Sequence, residues 1–194
     1  MTTALFVFIL GACHPETKDA APSDTGASDT GTEVVEPLNP IEEIPESDLP
    51  QGVEPCREPA LGRVISVTDG DTITVQTDRG YETVRLIGID TPEVDHSGPD
   101  DECYGEEAKA FLSAMVKGEH VWLTFDAECE DHFERTLAYV HTSVEENGFI
   151  QRLLLRDGWA SAYAVNPNVS FRTLFETDQS EAQAAGNGLW GSCR

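Results

Sequence analysis

The stretch RVISVTDGDTITVQTDRGYETVRLIGIDTPE, residues 63–93, decides the fold. Residues 63–67 and 71–77 have the alternation and β-branched content of strands, and Asp69-Gly70 between them is a tight-turn signal. Asp78-Arg79-Gly80 makes a second turn into residues 81–89, which predicts a three-stranded meander. Alternation puts Asp71, Ile73 and Val75 on one face, with Asp71 at the rim of whatever Ile73 helps to fill. The last strand is unusual. Val84, Leu86, Ile87 and Ile89 suit a buried sheet, yet Arg85 sits among them and Asp90-Thr91-Pro92-Glu93 closes the run.

Downstream, residues 104–117 have helical spacing, with Ala108, Phe111, Leu112 and Met115 along one stripe and Gly118 as the stop. Residues 120–125 and 136–141 alternate as strands. After a turn at Asn147-Gly148, residues 149–158 predict a short helix and residues 171–185 a longer one. This order predicts an α+β, mainly β domain: a small five-stranded Greek-key barrel with helical additions. No internal repeat is visible.

Upstream, the chain changes character. Residues 4–10 form an apolar run too short to span a bilayer, and Leu10-Gly11-Ala12-Cys13 resembles a bacterial lipobox. That predicts a signal peptide over 1–12 and a lipid on Cys13, although no Lys or Arg precedes the apolar run. Residues 13–55 are rich in Pro, Asp, Glu, Ser and Thr, with 11 acidic residues against one lysine. Such a segment cannot bury enough apolar surface to offset its ordering entropy, so it is expected as a disordered, self-repelling linker. The domain proper is then residues 56–194. The whole chain carries a formal charge of −24, from 36 acidic and 12 basic residues, and the domain alone −14. This argues against loose electrostatic attraction to nucleic acid or anionic lipid.

Apart from Cys13, the cysteines are 56, 103, 129 and 193, with no CxxC spacing, so disulfides are expected rather than zinc. Three pairings are possible, besides free thiols. The expected one joins Cys56 with Cys193 at the domain's two ends and Cys103 with Cys129 between loops. His96, His120, His132 and His141 have no metal-ligand spacing and are read as surface or strand residues.

The strand with the arginine now makes chemical sense. Adjacent strands of a meander can bring Asp71 and Asp90 together, and two carboxylates plus a backbone carbonyl form a hard oxygen site suited to Ca²⁺. An inward arginine is costly without an anion, and a phosphate beside a metal supplies one. With a second arginine, Arg135, and the free carboxylate of Glu93, these are parts for metal-assisted phosphodiester hydrolysis. Singly, each residue has a plainer structural reading; their combination on these elements carries the inference.

At these residues the chain resembles the staphylococcal nuclease (thermonuclease) family. The blocks VTDGDTITV, VRLIGIDTPE, CYGEEAKAF, RTLAYVH, LLRDGWASAY and SEAQAAGNGLW follow the family's order across residues 62–191. The resemblance implies an OB-fold barrel with three helices. It implies calcium ligands Asp71, Asp90 and the carbonyl of Thr91, Glu93 as the base that handles the attacking water, and Arg85 and Arg135 on the scissile phosphate. It implies a calcium-dependent endonuclease acting on DNA and RNA without sugar specificity and leaving 3′-phosphates. Tyr163 matches a family tyrosine near the nucleotide.

Departures concern binding. The loop after Glu93 holds Asp100, Asp101 and Glu102 where relatives often carry lysines, and His132-Phe133-Glu134 replaces a Lys-Tyr-Gly pattern. His132, Phe133 and Tyr163 are the expected substrate-binding residues. The reading is thus a monomeric nuclease, lipid-anchored to the envelope of a Gram-negative cell, with His14 after Cys13 favouring the outer membrane. Its rivals are a non-catalytic nucleic-acid-binding OB module and a calcium-binding envelope interaction domain.

Overall fold

The turns at Asp69-Gly70 and Asp78-Arg79-Gly80 fold back as their chemistry dictates. In the computed structural model, which describes residues 40–94 and 102–193, β1 (Ala60–Asp69), β2 (Thr72–Thr77) and β3 (Gly80–Leu86) are successively antiparallel. The expectations for residues 1–12, Cys13, most of the linker, His96, Asp100 and Asp101 lie outside the described residues.

β5 (His120–Thr124) and β6 (Thr136–His141) complete the barrel. β5 pairs antiparallel with both β1 and β6, and β6 closes the ring by running parallel to β3. The strand order is β1-β2-β3-β6-β5 in a closed barrel, the predicted five-stranded architecture. Its interior is filled by fully buried Val64, Ile73, Val75, Val84, Leu86 and Leu123. α1 (Gly105–Val116) seats Ala108, Leu112 and Val116 in this core, while Phe111 and Met115 pack partly buried against it. α2 (Ile150–Arg156) and α3 (Arg172–Ala185) cover the remaining apolar surface, and α4 (Leu189–Ser192) is a single further turn. No described helix is long and apolar enough to cross a membrane.

Three features differ from expectation. The strand foreseen over 81–89 breaks at Ile87, and β4 (Gly88–Asp90) pairs instead with β7 (Ser161–Tyr163), joining Asp90 to Ser161. Gly88 has φ +85, and a Cβ there would stand 2.4 Å from the Phe175 ring, so packing against α3 turns the chain out of the barrel. That turn places Asp90 beside the strand it left.

The linker is shorter at its C-terminal end than foreseen. Residues 40–55 lie against the barrel, with Ile41 and Leu49 buried on Trp122. Trp122 Nε1 donates to the Ile41 carbonyl at 2.8 Å, and Thr124 Oγ1 to the Pro50 carbonyl at 2.7 Å. Acidic composition hid two apolar residues whose burial suffices to dock a short strap.

The disulfide pairing is also corrected: Cys56 joins Cys129 and Cys103 joins Cys193, not Cys56 with Cys193 and Cys103 with Cys129. The strap explains it. Gly52 and Cys56 donate their N–H groups to the carbonyls of Phe125 and Asp126 at 2.8 and 2.7 Å, delivering Cys56 to the loop that holds Cys129. Cys103, before α1, is left to meet Cys193 at the end of α4, with Cα atoms 5.9 Å apart.

Candidate active site

The β1–β2 turn delivers Asp71 to the barrel rim almost wholly buried, at 3 % exposure. A carboxylate buried there needs donors, and it has them. Thr72 Oγ1 donates to Oδ1 at 3.0 Å, while the N–H and hydroxyl of Thr91 both donate to Oδ2 at 3.1 Å. Thr91 can come this close because Gly70 has no side chain; a Cβ there would stand 2.8 Å from Thr91 Oγ1.

Arg85 lies opposite Thr72 in the β2–β3 register, so its guanidinium meets the same rim. Nη1 is 2.9 Å from Asp71 Oδ2 and donates to the carbonyls of Leu86 and Ile89 at 2.8 and 3.1 Å. Nη2 donates to Asp90 Oδ1 at 2.9 Å. One guanidinium therefore bridges the carboxylates of Asp71 and Asp90, and its Nη1 also reaches two carbonyls of the backbone turn at Gly88.

Two carboxyls beside that cation are lifted above their ordinary range. Partial burial raises the Asp90 carboxyl above its ordinary range; Asp71 and Glu102 add to the rise and Arg85 opposes it. Glu93 behaves alike. Its partial burial and then the charges of Asp71, Asp69 and Asp90 raise its pKa, against the pull of Arg85. A carboxyl lifted in this way suits proton transfer better than a free one.

Arg135 reaches the site from the loop just before β6. The parallel pairing sets Arg85 opposite Leu137, two residues on from Arg135. Both arginines line one groove of about 490 Å³, together with His132, Leu137 and Tyr163. Asp131 holds Arg135 in place, accepting from its Nε at 2.7 Å and its backbone N–H at 3.0 Å. His132 packs on Phe133 with ring centroids 3.7 Å apart, and the Arg135 guanidinium stands 5.3 Å from the Phe133 ring centre. Glu134, where the family pattern has glycine, adopts φ +61.

The structure thus gathers Asp71, Arg85, Asp90, Thr91 and Glu93 at one rim, and Arg85, Arg135, His132 and Tyr163 along one groove. Phe133 is two-thirds exposed and does not line that groove. Sequence reasoning left Asp131, which holds Arg135, unnamed, and gave Glu102 only as an acidic loop residue, not as the acceptor of the Glu93 N–H at 3.1 Å. The Asp131–Arg135 spacing of four was a visible signal for the first; nothing local signalled the second.

Among the described residues no three His, Cys, Asp or Glu side chains form a metal cluster. The candidate donors expected from the sequence are instead two carboxylates and the Thr91 carbonyl. Asp71 and Asp90 already converge on one cationic group, and both are hard oxygen donors, so the residues fit a divalent cation.

Comparison with known proteins agrees with this geometry. The family model described as "Staphylococcal nuclease homologue" matches residues 83–192. The thermonuclease of Staphylococcus hyicus is 34% identical over 130 residues, 67% of this chain and 75% of that protein. The thermonuclease of Staphylococcus intermedius is 38% identical over 124 residues, 64% of this chain and 72% of its own length. The endonuclease YncB of Bacillus subtilis (strain 168) is 33% identical over 124 residues, 63% and 57% of the two chains. Asp71 precedes the residues the family model matches, yet Arg85 and Thr91 within them bond to it. Barrel, rim cluster and sequence similarity converge, and the chain belongs to the staphylococcal nuclease homologue family.

Proposed function

We propose that this nuclease, a phosphodiester hydrolase by its family, is a calcium-dependent endonuclease that cuts DNA and RNA alike and leaves 3′-phosphates. The observation that carries the reading is the pair of arginines on one groove, one of them bridging two carboxylates at a hard-oxygen rim. Asp71, Asp90 and the Thr91 carbonyl would hold Ca²⁺, which when bound supplies positive charge beside the scissile phosphate. Arg85 and Arg135 donate to the phosphate oxygens and offset the negative charge that grows there in the five-coordinate transition state. Glu93 takes a proton from the attacking water as general base. Tyr163, His132 and Phe133 contact the flanking sugar and base.

The N-terminal reading completes the proposal. A signal peptide over 1–12, a lipid on Cys13 and the acidic linker would tether a monomeric domain to the cell envelope, at the outer membrane of a Gram-negative cell. What supports this is the lipobox-like sequence and the composition that follows it.

The test is cleavage of single-stranded DNA and RNA by the purified chain, disulfides intact, with calcium and with chelator. Calcium-dependent 3′-phosphate products are expected, with Glu93→Gln lowering kcat by about 10²- to 10⁴-fold. Absence of cleavage by the folded protein across calcium and salt concentrations would overturn the reading.

A further inference from the structure

The segment that carries Glu93 is held at both ends. Thr91 is tied to Asp71 through its N–H and hydroxyl, and Pro92 restricts the backbone that follows. On the far side the partner is Glu102. Glu93 N–H donates to Glu102 Oε2 at 3.1 Å, and Glu102 N–H donates back to the Glu93 carbonyl at 3.0 Å. Gly105 closes the contact: its N–H donates to the Glu102 carbonyl at 2.9 Å, and a Cβ there would stand 2.7 Å from the Glu93 carbonyl oxygen.

Glu102 is itself exposed and belongs to no strand or helix. Exposed hydrogen bonds are readily exchanged for water and hold little by themselves. The restraint comes from its neighbour. Cys103 is bonded to Cys193, at the end of α4. That helix is anchored in turn, since Leu189 donates its N–H to the Gly158 carbonyl at 2.9 Å. Tyr104 stacks on Trp159, which follows Gly158, with ring centroids 5.2 Å apart. The chain from Gly158 through α4 and the disulfide to Glu102 ends at the backbone of Glu93. The other disulfide, Cys56–Cys129, borders a different groove beside Arg57 and Tyr81.

We infer that Glu102 and the Cys103–Cys193 disulfide are positioning elements for Glu93, holding its backbone so that the carboxylate meets the water attacking phosphorus. The inference rests on the reading of Glu93 as the base. None of these three residues lines the groove of Arg85 and Arg135, so the effect falls on kcat and not on KM.

The experiment is a set of double-mutant cycles in the full chain. Glu102→Ala, Glu102→Gln and the paired Cys103→Ser/Cys193→Ser change are each made with Glu93 intact and with Glu93→Gln. The readouts are kcat and KM on single-stranded DNA with calcium, and thermal unfolding. With Glu93 intact, Glu102→Ala and the paired cysteine change each lower kcat by about 10- to 100-fold with KM within about threefold. Glu102→Gln, which keeps an oxygen acceptor for the Glu93 N–H, restores most of the rate. In the Glu93→Gln background the same changes cost less than about twofold more.

Equal losses in both backgrounds would mark a general structural role and overturn the inference, as would an unchanged kcat in a folded protein lacking the disulfide or the Glu102 side chain. Should the paired cysteine variant fail to fold, the Glu102 series decides alone. If Glu93→Gln by itself leaves kcat intact, the reading of the base fails first and takes this inference with it.

Discussion

The two arginines of the groove sit in unlike surroundings. Arg85 has 15 % of its side chain exposed and is engaged by two carboxylates and two backbone carbonyls, all carried by strand ends and the turn between them. Arg135 is 32 % exposed and leans on one carboxylate, Asp131, in a loop that also carries exposed Phe133 and the left-handed Glu134. The first environment is determined by barrel closure and cannot change without disturbing the core. The second belongs to a loop, where substitutions are cheap. The residues that match the family's chemistry lie mostly in the first. The substitutions that depart from its binding pattern lie in the second.

The sharpest way to break that contrast is Arg85→Lys against Arg135→Lys. An ammonium cannot span Asp71, Asp90 and two carbonyls in the way a planar guanidinium does. We expect Arg85→Lys to lower kcat by about 10³-fold and to reduce thermal stability, because buried Asp71 loses its partner. Arg135→Lys should lower kcat while leaving the unfolding temperature near that of the parent. Equal destabilisation by both would show that the loop is as constrained as the barrel.

A second test probes the rigid side without touching the site. His141 is fully buried, with Nε2 2.9 Å from Thr124 Oγ1, and burial pushes its pKa down to about 3. The unfolded chain binds a proton on this histidine below about pH 6.5, whereas the folded chain does not until about pH 3. Its contribution is therefore complete above pH 6.5 and is lost as the pH falls toward 3. Between pH 6.5 and 4.5 the loss should be about 2–3 kcal/mol. Denaturant unfolding at both pH values, compared with His141→Gln, isolates the term; a variant with the same pH dependence as the parent would refute it.

On the loop side the expected effects shrink. Asp131→Ala frees the Arg135 guanidinium and should lower kcat about tenfold with little change in unfolding temperature. Glu134→Gly removes a side chain from a left-handed position and a negative charge beside Arg135. A gain of about 1 kcal/mol in stability is expected, with KM lowered a few-fold and a steeper dependence of KM on salt. An unchanged KM would mean that Glu134 does not face the substrate.

Much of the molecule was legible in the chain. Alternation in 63–93 and the turns at Asp69-Gly70 and Asp78-Arg79-Gly80 found the meander, because strand period and turn chemistry act within a few residues. The helical stripe of Ala108 and Leu112 and the strand at 136–141 emerged for the same reason. The set Asp71, Arg85, Asp90, Thr91, Glu93 and Arg135 was named from residue type, order and family resemblance. Tertiary structure decided what depends on distant partners. The parallel β3–β6 pairing brings Arg85 and Arg135 to one groove across 50 positions of sequence. Phe175 beneath Gly88 turns Asp90 back toward Arg85. A strap bearing Ile41 and Leu49 sets which cysteines meet, and the resulting Cys103–Cys193 bond reaches the backbone of Glu93 through Glu102. Local patterns carry the energies of neighbouring residues, and these juxtapositions arise only when the closed barrel excludes every other arrangement.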